Sequence, residues 1–173
     1  MALDKTTLTR IKTLHPKIRD RVLSAYTFIN ENLLGRNVRL RFTHTFRTFE
    51  EQDKLYLQKP KVTNAKGGQS IHNYGLALDI AMLYDLDNNG TFEKISWDLK
   101  KDGDFDNQAD WMEVTNYLKS QGFECGGDWK NFKDYPHFQI DFGLTWQQMK
   151  IKLDKKDYKS EIIDGYTYKY INI

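Results

Sequence analysis

The chain has 173 residues, enough for one domain at roughly 150 residues each and for burying about 70% of the unfolded surface. Hydrophobic residues at 39% and charged residues at 29%, with only 3 Pro and 11 Gly, exclude collagen-like, low-complexity and largely disordered classes. Lys plus Arg number 26 against 24 Asp plus Glu, and this interspersed net charge of +2 is too small for a nucleic-acid stripe, so no nucleic-acid partner is expected.

No apolar run reaches the roughly 20 residues of a membrane span, since the longest, 76–84, is broken by Asp79. Cys125 is the single cysteine and has no partner for an internal disulfide. The opening Met1-Ala2-Leu3-Asp4-Lys5-Thr6 lacks a basic region followed by an apolar one, the pattern of a secretory signal. The expectation is a soluble monomer made in a cytoplasm.

Pro16 opens the first predicted helix, carried by Ile18, Val22, Tyr26, Ile29 and Leu33 at helical spacing, with His15 as its cap and Gly35 at its end. From Val38 to Phe46 apolar and polar residues alternate, predicting a half-buried strand. His44 falls on its apolar side, as a core histidine or a support to the site. Arg47 follows, and Thr48-Phe49-Glu50-Glu51 is a capping box for a short helix from Phe49 to about Tyr56. After a loop at 66–70, Leu76 to Ala81 reads as a second strand. Segment 84–109 reads as an insertion, Trp111 to Leu118 as a helix stopped by Gly122, His137 to Asp141 as a third strand and Thr145 to Leu153 as a helix. Asp164-Gly165 between alternating residues marks a terminal hairpin. The order predicts an α+β fold with a small antiparallel sheet and flanking helices. Residues 1–153 form the expected main domain, and 154–173 a hairpin extension of it. The extension carries Lys155, Lys156 and Lys159 and the tyrosines 166, 168 and 170. Either it closes the domain with a solvated lysine face, or it touches an anionic polymer.

His72 and His137 stand beside turns at strand mouths, where side chains converge on a cleft. Asp79 shares its strand face with the small Ala77 and Ala81, which leaves room for an ion, and a buried Asp is costly unless paired or metal-bound. Two imidazoles and one carboxylate with an open fourth position make a catalytic zinc set. A capped turn and a hydrogen-bonded aspartate are the alternative for the same residues.

The segment Ser70-Ile71-His72-Asn73-Tyr74-Gly75-Leu76-Ala77-Leu78-Asp79 resembles the S-x-H-x-x-G-x-A-x-D motif of the zinc peptidases that include VanY-type and VanX-type D-Ala-D-Ala peptidases and phage L-alanyl-D-glutamate endolysins. Gly126-Gly127-Asp128-Trp129 with Asp134-Tyr135-Pro136-His137-Phe138 resembles the second half of that signature. The resemblance, which runs from about Leu14 to Phe142, implies the zinc peptidase fold shared with the hedgehog domain. It also implies Zn2+ on His72, Asp79 and His137, Asp134 as general base, and Arg47 as oxyanion stabiliser and substrate holder. Gln52 and Ser70 are substrate or supporting contacts by the same resemblance, while Asp128 and Glu124 compete weakly with Asp134 for the base. Two departures stand out. His44-Thr45-Phe46-Arg47 replaces the common Ser-Gly-Tyr-Arg, and Cys125 stands where an aromatic residue often precedes the Gly-Gly pair.

The implied function is cleavage of peptidoglycan stem peptides between L-Ala and D-Glu by a phage-type endolysin, held in the host cytoplasm until lysis and then acting on the cell wall. The alternatives are a D-Ala-D-Ala carboxypeptidase or dipeptidase, and a non-catalytic zinc-containing wall-binding module. A second cation, Ca2+, is expected on Asp102, Asp104, Asp106, Asp110 and Glu113, which occupy positions 1, 3, 5, 9 and 12 of an EF-hand-like loop with Asn107 at position 6. The run Asp85, Asp87, Asn89, Gly90 is its weaker competitor. Ordering of the acidic loop is expected to shape the zinc cleft.

Overall fold

The computed structural model describes residues 3–173. Two helices come first, α1 (Lys5–Lys12) and α2 (Pro16–Phe28). Helix α1 escaped the sequence reading, although Asp4 caps it by accepting from Thr7 N and Ile11 faces the core. His15 caps α2 as expected, its Nδ1 accepting from Lys17 N, and Pro16 occupies the first turn. The helix widens into a π-turn at Ile29–Leu33 before β1 (Val38–His44). Helix α3 (Phe49–Leu57) starts at the Thr48/Glu51 capping box.

The next strand, β2 (Ala77–Tyr84), is the spine of the sheet. Along one edge it pairs with β1, and along the other it pairs with β5 (His137–Gln139) near its start and with β3 (Lys94–Ser96) near its end. The two-residue β4 (Glu124–Cys125) pairs with β5 and completes a five-stranded antiparallel sheet. Both short strands, β3 and β4, lie where the sequence showed no alternation. Helices α4 (Asp110–Ser120) and α5 (Trp146–Asp154) and a separate hairpin of β6 (Tyr158–Ile163) and β7 (Tyr166–Ile171) complete the fold. The hairpin turn holds Asp164 and Gly165 at φ 49° and 84°, the two left-handed positions of a tight two-residue turn.

Leu40, Phe42, Leu78, Ile80 and Phe138 of the sheet pack against Ile18, Val22 and Tyr26 of α2 and Val114 and Leu118 of α4, all with no exposure. The terminal hairpin clasps the start of α2. The Nε2–H of His15 donates to Ile171 O at 2.9 Å, Tyr170 OH donates to Thr13 O, and Arg19 pairs with Glu161 at 2.9 Å.

His44 corrects the strand reading. The β1/β2 register runs Phe42↔Ile80 and then His44↔Asp79, so Thr43 is an extra residue, and such a bulge rotates the residues after it. Thr45 is therefore the buried residue, and His44 leaves the core for the cleft.

Candidate metal centre and cleft

Strand pairing brings the histidines and the aspartate together. Asp79 and His137 are direct cross-strand partners, and His72 reaches the same point from a single helical turn at 71–74 just before β2. His72 Nε2 lies 3.1 Å from Asp79 Oδ1 and 3.2 Å from His137 Nδ1, and His137 Nδ1 lies 3.2 Å from Asp79 Oδ1. Donors placed about 2.0–2.1 Å from one tetrahedral centre are separated by roughly 3.3 Å, close to these three edges.

The far side of each ring fixes its tautomer. His72 Nδ1 lies 2.6 Å from Thr45 O, and a carbonyl only accepts, so Nδ1 carries the proton and Nε2 presents a lone pair. Gln139 donates its amide to Glu124 Oε2 at 3.2 Å, which turns its Oε1 toward His137 Nε2 at 2.9 Å. His137 therefore donates from Nε2 and offers a lone pair at Nδ1. Glu124 is in turn held by Trp129 Nε1. Two imidazole lone pairs and a carboxylate oxygen thus face one another, an arrangement that repels unless a cation sits among them. This donor set and its spacing fit zinc.

Burial alone would raise the Asp79 carboxyl, but His72 and His137 override it and hold the group well below the usual carboxylate range. Burial pulls His137 down, yet the Asp79 carboxylate lifts it above the usual imidazole value, so this point calls for positive charge, from a proton or from a metal ion.

The triad lies in a cleft of about 430 Å³ whose walls include His44, Arg47, Ser70, Trp129, Phe132 and Asp134. Asp134 is half-buried. Burial and then the charge of Asp79 raise its carboxyl above the ordinary aspartate value, against the opposing pull of His137, His72 and Arg47. Its place depends on Gly126. Asp134 N donates to Gly126 O at 3.0 Å, and a Cβ on Gly126 would stand 2.5 Å from Asp134 O and 3.2 Å from His137 Cβ. No other residue permits that approach.

Arg47 is nearly buried, its side chain 11% exposed, and its fork is held from two sides. NH1 donates to Gln52 Oε1 at 2.8 Å, and NH2 lies 3.5 Å from Asp79 Oδ2. Its backbone N–H donates to His72 O, which ties it to the turn that carries His72.

Gln52 is fully buried and outside the cleft wall, bonding Arg47 with its oxygen and Ala65 O with its amide, so of its two expected roles the geometry fits support of the arginine better than contact with substrate. The structure corrects one expectation. The five acidic residues of the predicted calcium loop gather near Tyr84, at the opposite end of β2 from Asp79. Five residues of strand separate the two places, about 17 Å, so that loop does not shape the cleft. Asp128 is more than half exposed and paired with Lys119 at 2.6 Å, and Glu124 serves the Gln139 bond, which leaves Asp134 as the free carboxylate of the cleft. Sequence reading missed the Glu124–Gln139–His137 chain, whose one available signal was that Gln139 lies two residues beyond His137 on the same strand face.

Residues 63–140, which contain His72, Asp79, Asp134 and His137, match the family described as D-alanyl-D-alanine carboxypeptidase. The chain is 48% identical over 103 residues to the peptidoglycan L-alanyl-D-glutamate endopeptidase CwlK of Bacillus subtilis (strain 168), covering 57% of this chain and 58% of that protein. It thus spans less than two thirds of that curated relative. The fold is shared with the L-Ala D-Glu endopeptidase ChiX of Serratia marcescens, at a TM-score of 0.51 and 21% identity, covering 80% of this chain and 88% of that one.

Proposed function

We propose that this chain is a zinc-dependent endopeptidase that cleaves the L-Ala–D-Glu bond of peptidoglycan stem peptides. The observation that carries the reading is the convergence of three lone pairs, from His72, His137 and Asp79, beside the free carboxylate of Asp134 and the fixed fork of Arg47. The choice of bond leans on the names of the two relatives.

Zinc on His72, Asp79 and His137, when bound, supplies Lewis acidity and lowers the pKa of its water to near 7. Asp134 accepts the proton of the attacking water and returns it to the leaving amine. Arg47 donates to the oxygen on which negative charge develops, and the Gln52 bond holds the fork in place for it, so little reorganisation accompanies the step. Ser70 lines the cleft as a substrate contact. Trp129 lines the cleft with its ring 5.1 Å from that of His137.

Acting as a phage-type endolysin, the monomeric chain would meet the wall once the host membrane is breached. Digestion of purified muropeptides, followed by mass spectrometry, tests the reading. Fragments ending in L-Ala, formed with zinc and lost with a zinc chelator, are expected. Release of D-Ala alone would assign the carboxypeptidase reaction that the family description names. No product with zinc bound would leave a wall-binding module.

A further inference from the structure

We propose that Asp102, Asp104, Asp106, Asp110 and Glu113 form a calcium site that fastens α4 to the end of the sheet remote from the cleft. The five carboxylates gather in two overlapping groups, Asp102 with Asp104 and Asp110, and Asp104 with Asp106 and Glu113, each with ligand atoms within 4.8 Å of one another. Acidic residues cluster on many surfaces without an ion. Here burial adds a separate observation. Asp110 has no exposure, and while its Oδ2 accepts from Tyr84 OH and Gly103 N, its Oδ1 has no partner. Asp104 Oδ1 and Glu113 Oε2 are likewise enclosed and without partners. Three orphaned carboxylate oxygens in one cluster leave a large unmet demand for positive charge.

The protein does not meet that demand itself. Among the described residues no Lys or Arg pairs with any of the five, and the nearby Lys101 amine sits over the Tyr84 ring at 3.4 Å instead. Burial, followed by the charges of Asp106, Asp104, Asp110 and Asp102, pushes Glu113 up to about 7. The donors are all oxygens, with no imidazole or thiolate, which selects a hard cation, and their irregular spread suits calcium better than the strict octahedron of magnesium.

The loop is shaped to close around such an ion. Asp102 accepts from Phe105 N and Asn107 N, and Asn107, at position 6, takes φ 73°, the left-handed turn usually given to glycine there. The other acidic loop serves as an internal contrast. In it Asp85, Asp87 and Glu93 spend all six carboxylate oxygens on Asn89, Gly90, Leu86 and Thr91, and none is left over. A cation at 102–113 would join the first turn of α4 to Gly35, whose N–H donates to Asp104 Oδ2 at 2.6 Å, and to Tyr84 of β2.

Isothermal titration of the zinc-loaded, calcium-free chain with calcium chloride, with thermal melts in parallel, tests the proposal. One calcium per chain with Kd of about 10⁻⁵–10⁻³ M is expected, and a melting temperature higher by about 5 °C at saturation. Glu113→Gln removes a charge but no observed hydrogen bond, so without calcium it should melt at or above the parent temperature, while Kd rises about tenfold or more. Asp106→Asn, at an exposed position, should raise Kd in the same direction and replaces Glu113→Gln as the test should that variant not fold. Asp87→Ala in the other loop should leave Kd unchanged. Absence of heat and of a melting shift at about 5 mM calcium would overturn the site. So would a Kd indifferent to Glu113→Gln and Asp106→Asn, or one lost in Asp87→Ala.

Discussion

At the first residues of β2, Asp79 shares its charge with two imidazoles and lies 3.5 Å from a guanidinium; at the last, Asp110 meets a phenol, a backbone N–H and other carboxylates. Both aspartates are largely buried, yet their carboxyls move in opposite directions. Asp79 is held well below its ordinary value by the histidines against the effect of burial, whereas burial leaves Asp110 raised, with Asp104 and Asp102 adding to it. The first environment tolerates an anion and offers nitrogen donors with a cationic fork beside them, as the proposed reaction centre requires. The second offers only oxygen and no fixed positive charge, as the proposed structural ion requires. Burial by itself therefore says little about what an aspartate does; its neighbours decide.

Replacing residues at each end should separate these roles. The largest effect is expected at the cleft. His72→Ala, Asp79→Ala or His137→Ala should each release zinc and abolish hydrolysis, whereas Asp134→Ala should retain zinc and lose about a hundredfold to ten-thousandfold in turnover. Metal analysis beside a muropeptide assay checks this, and an Asp134→Ala protein with near-parental turnover would remove the base from Asp134.

A smaller effect should come from the groups that hold the reacting ones. Arg47→Lys keeps the charge but loses the planar fork that bonds Gln52, so kcat should fall about tenfold or more with little change in melting temperature. Gln139→Leu should weaken zinc about 10–100-fold by freeing the His137 ring, visible in competition with a chelating dye. Unchanged affinity would show that the ring is held by its strand alone. The smallest effect belongs to the remote end. Tyr84→Phe removes the bond to Asp110 and should cost about 1–2 kcal/mol in denaturant unfolding while kcat/KM stays at the parental value.

The sequence carried most of the cleft because its information is local. The alternation around Asp79 and the turn before His137 put those two residues on strands that antiparallel pairing joins, while His72 comes in from the helical turn just before β2. What escaped was set by long-range packing or by single-residue irregularity. One extra residue at Thr43 moved His44 from the core to the cleft, and no periodicity signals a bulge. Gln52 lies on a short amphipathic helix and looked available to substrate, but its neighbours across the fold seal it. The acidic loop was legible as a register of oxygens, while its distance from His72, Asp79 and His137 depended on where β2 runs. Helix α1 and strands β3 and β4 are short enough that tertiary contacts, more than propensity, form them.

The packing around Gly126 has a consequence for how this cleft tolerates change. Asp134 is placed by a backbone contact that exists because a side chain is missing, so its position is encoded at a residue with no functional group of its own. A saturation library across the cleft should find Gly126 as intolerant as the ligands themselves. Efforts to alter specificity have more freedom at the outer wall, where His44 and Phe132 are exposed and carry no such contact.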